Sequence, residues 1–195
     1  VKKLLQNYKP KYYFTNRSYK FKNTNEVLVK NIFPYKILSF KTKIEYSINK
    51  DIKILLSTSG SLGDPKCVKL SYENLKSNTK SIIKYLKLNY DDKTITTLNP
   101  SYSYGMSIIN THLFSNASIF VSKLTLFDKN FYQYLKKYKI TNINGVPYFY
   151  DMLIRLGLKK ISHNCLKFIT QAGGALSEKS FQTVKDFILK EKKTF

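Results

Sequence analysis

From residue 52 onward, short apolar runs of strand length alternate with stretches whose apolar positions recur every three or four residues. Residues 52–57 read as a buried strand that ends in a glycine-rich loop, and 67–70 as a short extended piece. Ser71 is placed to cap a helix carrying Leu75, Thr79, Ile82, Ile83 and Leu86 at helical spacing. The β-branched run 94–98 predicts a strand, 104–114 a helix, and 118–121 another strand. Asp128 stands where a cap would open a helix with Phe131, Tyr134, Leu135 and Tyr138. Residues 142–144 predict a short strand, and Pro147 sits at a first helical position ahead of 148–156. A strand over 166–170 follows, then a helix capped by Ser177 with Phe181, Val184, Ile188 and Leu189 on one face.

Such alternation implies right-handed crossovers, hence an α/β fold: a mostly parallel sheet flanked by helices. The first fifty residues are less regular, with a helix end over 2–8 and strands over 11–14 and 26–30. No Pro/Gly/Ser-rich linker divides the chain, so a single structural unit is expected. A start at Val1 and a stop at Phe195, just after an amphipathic helix, read as a fragment of something longer.

Composition narrows the partners. Apolar residues make up 43% of the 195, the ordinary share for a globular chain, and no run approaches the ~20 needed to cross a bilayer. A net charge of +22 raises nucleic acid as a partner. The excess is lysine, however: Arg17 and Arg155 are the only arginines, and base-reading surfaces favour the planar, bidentate guanidinium. Lysine abundance alongside Asn, Ile and Tyr fits AT-rich coding, and the reading is of no nucleic-acid partner and no membrane span. Cys67 and Cys165 form no CxxC or Cys/His spacing, and His112 and His163 have no partner at i+3 or i+4. All four read as structural, no metal ligand set is apparent, and a reducing, cytoplasmic setting fits.

The chemistry sits in the loop after the first of these strands. In Thr58, Ser59, Gly60, Ser61, Leu62, Gly63, Asp64, Pro65, Lys66, the glycines let the backbone approach a ligand closely. Backbone N–H groups and the hydroxyls of Thr58, Ser59 and Ser61 can surround phosphate oxygens, with Lys66 as a point charge. It is not a Walker A loop, which needs Gly-Lys followed by Ser or Thr. A plain strand-end turn accounts for the glycines and proline but not for the hydroxyl run.

The segment resembles the T-S-G-[ST]-T-G-x-P-K-G signature of the adenylate-forming superfamily of acyl-CoA synthetases, luciferases and peptide-synthetase adenylation domains. Leu70-Ser71-Tyr72-Glu73-Asn74-Leu75 resembles the L-S-x-x-N-L that follows it there. Leu62 and Cys67 depart from the pattern, replacing a hydroxyl residue and a glycine. Three further matches come in the family's order. Asn99 to Gly105, with Tyr102, Ser103 and Tyr104, is similar to the aromatic motif beside the acyl pocket; Tyr102 stands where many relatives have His. Asn144-Gly145-Val146-Pro147 is similar to a G-V-P stretch that opens a pocket-lining helix, and Gly173-Gly174-Ala175 to a stretch passing near adenine and acyl group. Each alone reads as an ordinary turn or core cluster; their order over about 120 residues is what carries the resemblance.

The resemblance implies a large N-terminal adenylation domain over 1–195, incomplete and without a C-terminal lid domain. It implies Mg-ATP and a small carboxylic acid as ligands: the carboxylate attacks the α-phosphorus, pyrophosphate leaves, and the acyl-adenylate passes to CoA or to the phosphopantetheine of an acyl carrier protein. Thr58, Ser59, Gly60, Ser61, Gly63, Lys66, Gly173, Gly174 and Ala175 would hold the nucleotide. Tyr102, Ser103, Tyr104, Gly105 and Gly145 would line the acid pocket, and the uncharged Tyr102 disfavours an α-amino acid. The magnesium-binding glutamate and catalytic lysine of the family are not matched within this sequence, so residues 1–195 are expected to be inactive alone. A catalytically degenerate homologue and a lysine-rich nucleic-acid-binding module are the competing readings.

Overall fold

The computed structural model describes residues 10–15, 26–32, 35–40, 49–57 and 67–194, together with Tyr8 and Ser47. Contacts divide the chain into two units, 1–49 and 50–195, where the sequence led us to expect one. In the first unit, β1 (Tyr12–Thr15), β2 (Glu26–Ile32) and β3 (Tyr35–Phe40) form an antiparallel sheet in the order β1-β3-β2. The strand β3 has no counterpart in the sequence reading, and most of the expected helix end over 2–8 lies outside the described residues.

The second unit holds the remaining elements. β4 (Ile52–Ser57) and β5 (Cys67–Ser71) pair antiparallel as a separate two-stranded sheet. This corrects the expectation that β4 opens the parallel sheet: the chain returns on itself after the loop instead of crossing over. Ser71 then caps α1 (Tyr72–Leu86), accepting from the Asn74 N–H at 3.1 Å while the Asn74 side chain accepts from the Ser71 N–H at 3.0 Å.

Next come β6 (Lys93–Ile95), α2 (Ser103–Phe114), β7 (Ser118–Phe120), α3 (Lys129–Lys137), β8 (Asn142–Gly145), α4 (Pro147–Leu156), a 3-10 turn (Leu158–Ile161), β9 (Phe168–Gln171) and α5 (Glu178–Lys190). The four strands make a parallel sheet in the order β7-β6-β8-β9. The predicted α/β class therefore holds for this sheet and its helices.

The two faces of this sheet differ. Ile95, Ile143 and Ile169 point into an apolar core with Phe131 and Leu135 of α3, Tyr150 and Leu153 of α4, and Val184 and Ile188 of α5, all of them essentially fully buried. Of the face predicted for α5, Leu189 is instead 62% exposed, because it lies one residue past the Val184–Ile188 stripe. The opposite face carries Thr94, Asn142 and Asn144, which are buried as well and joined to one another by hydrogen bonds. α2 covers it with His112, whose Nε2 lies 3.0 Å from the Asn142 amide. Buried amides and hydroxyls are tolerable only when partnered.

Candidate functional site

Strand ends position the site. β4 delivers Ser57 to the root of the glycine-rich loop; residues 58–66, with Thr58, Ser59, Gly60, Ser61, Gly63 and Lys66, lie outside the described residues. β6 leads into a turn that ends on α2. There the Asn99 carbonyl accepts from the Tyr102 N–H at 3.0 Å, and its side chain accepts from both the N–H and the hydroxyl of Ser101. Gly105 in the first turn of α2 lies against this turn: a Cβ there would drive into the Asn99 carbonyl and come within 2.9 Å of its carbon. The glycine is thus a requirement of close backbone approach.

A cavity of about 890 Å³ opens between the β4–β5 hairpin, α1 and α2, within the range of small-molecule pockets. Its walls include Ser57 beside the loop root, Asn74 and Asn78 of α1, and Tyr102, Ser103 and Asn110 of the aromatic segment and α2. Leu56, Val68, Leu70, Leu75 and Met106 give the lining a mainly apolar character, and none of the described lining residues is charged.

The second motif junction is made by Tyr102 and Gly173, which are 71 positions apart in sequence. Gly173 has φ +86°, and a Cβ at this position would meet the Tyr102 hydroxyl, with Val146 Cγ1 at 3.3 Å on the other side. Gly174 (φ +146°) lies over Pro147, so the Gly-Gly segment covers the start of α4. The Gln171 side chain closes this segment by donating to the Gly174 carbonyl at 2.7 Å. The structure therefore brings Tyr102, Val146, Pro147, Gly173 and Gly174 together; Gly173, Gly174 and Ala175 are exposed, whereas Gly145 and Gly105 are buried. Gly145 packs against the Phe149 ring of α4, which leaves no room for a side chain.

Tyr104, in the first turn of α2, is half-buried, and its hydroxyl lies 2.6 Å from Thr170 Oγ1 on β9. Burial pushes its phenol up to about 12, with the neighbouring Tyr102 adding to the effect and Thr170 opposing it. Tyr150 donates to the Thr170 carbonyl at 2.7 Å, and its complete burial lifts that phenol well above the ordinary range. Both phenols are therefore neutral hydrogen-bonding groups at any physiological pH.

Sequence reasoning did not single out Thr170 or Asn142, and it took Asn144 only as the residue leading into the G-V-P stretch. The available signal was period-two spacing: Asn142 and Asn144 flank Ile143 in a strand buried on both faces, which puts two amides on one side. His112, read as structural, does sit in a structural network: its Nδ1 lies 2.8 Å from the Ile108 carbonyl, and burial holds the imidazole below its ordinary range. Asp92 anchors the far end. It is only 2% exposed, yet hydrogen bonds from Lys167, the Asn89 N–H and Thr141 outweigh burial and hold its carboxyl below the usual range.

Among the described residues, no group of three His, Cys, Asp or Glu side chains is placed to hold a metal ion, so the implied Mg2+ finds no fitting ligand set there. Nor is any described helix long and apolar enough to cross a membrane.

The chain has relatives in both sequence and fold. An acyl-CoA synthetase of Alternaria alternata is 29% identical over 142 residues, which cover 71% of this chain and 25% of that protein. The O-succinylbenzoate coenzyme A synthetase of Bacillus subtilis, solved with AMP, superposes with a TM-score of 0.60 at 17% identity, over 68% of this chain and 27% of that one. The N-terminal domain of FACL13 from Mycobacterium tuberculosis, solved with an inhibitor, gives a TM-score of 0.60 at 14% identity, over 75% of this chain and 37% of that domain. At such identities the structural likeness speaks to the fold. The chain spans about a quarter of the length of the synthetases it matches. Residues 12–191 match the family model described as AMP-binding enzyme, and with nearly the whole sequence inside that match the chain belongs to the AMP-binding, adenylate-forming enzyme family.

Proposed function

We propose that this chain supplies the nucleotide- and acid-binding face of an enzyme that activates a small carboxylic acid as its acyl-adenylate, with transfer to the thiol of CoA or of a carrier-protein phosphopantetheine. The observation that carries the reading is the convergence on Tyr102. It lines the same cavity as Ser57 at the loop root and lays its hydroxyl on Gly173, so three segments distant in sequence meet at one residue. Relatives solved with AMP and with the acyl-adenylate of O-succinylbenzoate support the choice of nucleotide and intermediate.

Acyl-adenylate formation displaces pyrophosphate from the α-phosphorus in line with the attacking carboxylate oxygen. It requires positioning and neutralisation of charge more than a protein nucleophile. In this reading the backbone and hydroxyls of Thr58, Ser59, Gly60, Ser61 and Gly63, with Lys66, receive the departing phosphates. Gly173, Gly174 and Ala175 let the chain pass flat against the nucleotide, and Tyr102, Ser103, Tyr104, Gly105 and Gly145 shape the acid pocket. Residues 1–195 span about a quarter of the matched synthetases, and in this reading they do not carry the activity by themselves.

The test is ATP–pyrophosphate exchange driven by a panel of carboxylic acids, run on the complete gene product and on residues 1–195. Acid-dependent exchange by the former and none by the latter is expected. Exchange by residues 1–195 would refute the division of labour, and no exchange with any acid would remove the adenylation reading.

A further inference from the structure

The cavity between the β4–β5 hairpin, α1 and α2 has two chemically different walls. In the hairpin Leu56 lies directly across from Val68, and Leu70 is two residues further on, so all three side chains fall on one face of the ribbon. That face lines the cavity, joined by Leu75 of α1. The other wall is a stripe of α2 at helical spacing: Ser103, Met106, Ser107 and Asn110. From Ser103 to Asn110 it runs two turns, about 10 Å along the helix axis.

The polar atoms of the lining are not equally free. The Ser107 hydroxyl donates to the Tyr104 carbonyl at 2.8 Å, and the Asn74 side-chain oxygen accepts from the Ser71 N–H at 3.0 Å. Asn110 is different. It is half-buried, and among the described residues its amide has no hydrogen-bond partner. Asn142 and Asn144, on the sheet that α2 covers, have theirs engaged. A shielded amide open to a cavity keeps two N–H donors and a carbonyl for whatever enters. It carries no charge, and neither does any other described lining residue. An ionised group brought here would lose water without gaining a counter-ion.

Resting on the adenylation reading above for the carboxylate, we infer that this cavity holds the body of the acid and that Asn110 is a specificity-determining residue. The substrate class is monocarboxylic acids with an uncharged, mainly apolar body, on which a hydroxyl or carbonyl that meets Asn110 is accepted. Leu56, Val68 and Leu70 take the apolar length, and Asn110 reads the group two turns from the Tyr102 end. A second carboxylate or an ammonium at that place is rejected.

Four acids of one chain length test this: octanoate, ω-hydroxyoctanoate, ω-aminooctanoate and suberate. With the complete gene product, calorimetry without ATP reads binding and pyrophosphate exchange reads kcat/KM. The two neutral-ended acids should exceed the two charged-ended ones about tenfold or more. Asn110→Leu should lower ω-hydroxyoctanoate against octanoate about three- to tenfold, the scale of one hydrogen bond. Asn110→Asp should raise ω-aminooctanoate and leave suberate rejected. Val68→Lys, at a position 46% exposed and so safe for folding, should raise suberate instead. Charged-ended acids equal to or above the neutral-ended ones overturn the inference, as do ratios unmoved by these variants. Selective binding without exchange retains the cavity assignment and removes the adenylation reading. Exchange with the opposite selectivity does the reverse, and absence of both binding and exchange for all four acids overturns the substrate class.

Discussion

Replacing Gly173 by alanine probes the junction of two motif segments directly. Two separate penalties apply. At φ +86° an L-residue is strained, by about 1–2 kcal/mol. The new Cβ also drives into the Tyr102 hydroxyl and sits 3.3 Å from Val146 Cγ1, an overpacking that costs about 1–3 kcal/mol. Gly173→Ala alone should therefore lose about 2–5 kcal/mol. Tyr102→Phe removes the obstructing oxygen and leaves the ring carbon at 3.4 Å, ordinary contact. By itself it should change stability by no more than about 0.5 kcal/mol, since Tyr102 is 41% exposed. In the double variant the strain persists but the collision is gone, so the loss should shrink to about 1–2 kcal/mol. A double-mutant cycle read by urea unfolding gives the coupling as the difference, and at about 2 kcal/mol per molar urea, 2 kcal/mol moves a midpoint by about 1 M. Additive effects of the two substitutions would refute the reasoning, because they would mean that the hydroxyl does not occupy the space above Gly173.

Other outcomes follow from the buried network and the helix ends. Burial holds the His112 imidazole below its ordinary value near 6.5, opposed in part by its hydrogen bonds, so the unfolded chain takes up a proton that the folded chain refuses. Stability should be full above about pH 6.5 and decline as pH falls below it; thermal midpoints from pH 8 to 5 should show the decline, and His112→Gln should flatten it. His163, lowered by burial and by Lys193 and Lys136, adds a decline of the same sign. Lys167→Met removes the 2.9 Å partner of Asp92. Because Lys167 is itself 48% exposed and screened, the loss should be about 1–2 kcal/mol at neutral pH, with acid unfolding moved to higher pH. Ser177→Ala removes the side chain that accepts the Ser180 N–H at 3.1 Å and should cost about 1 kcal/mol in a denaturant titration, with no change in the His112 pH response.

Much of the second unit was legible in the sequence. Capping chemistry marked α1 and α5, where Ser71 and Ser177 both accept from the third residue on, and Pro147 marked the start of α4. Asp128 occupies the cap position of α3, but its carboxylate turns back to the N–H and hydroxyl of Thr125 at 2.7 and 2.8 Å instead of capping the helix. The strand expected over 94–98 stops at Ile95, because the Asn99–Tyr102 turn claims the chain soon after it. What the sequence could not reveal was pairing. Residues 52–57 read as a buried strand, yet β4 alternates half-buried and exposed positions, with Leu55 46% exposed, and pairs back on β5 as a hairpin. The buried polar network was hidden for a related reason: Thr94, His112, Asn142 and Thr170 are each unremarkable, and their meaning lies in hydrogen bonds spanning dozens of residues.

The unlike faces of the parallel sheet have a consequence for how the chain finds one structure among many. Sliding β8 by two residues past β6 or β9 would return apolar side chains to the apolar side, and a greasy core tells such alternatives apart poorly. The amides on the other face discriminate strongly, since any slip leaves Asn142 and Asn144 without Thr94, Thr170 and His112 and strands several polar atoms away from water. The polar ladder thus acts as a key cut along the strands, and it admits a single alignment.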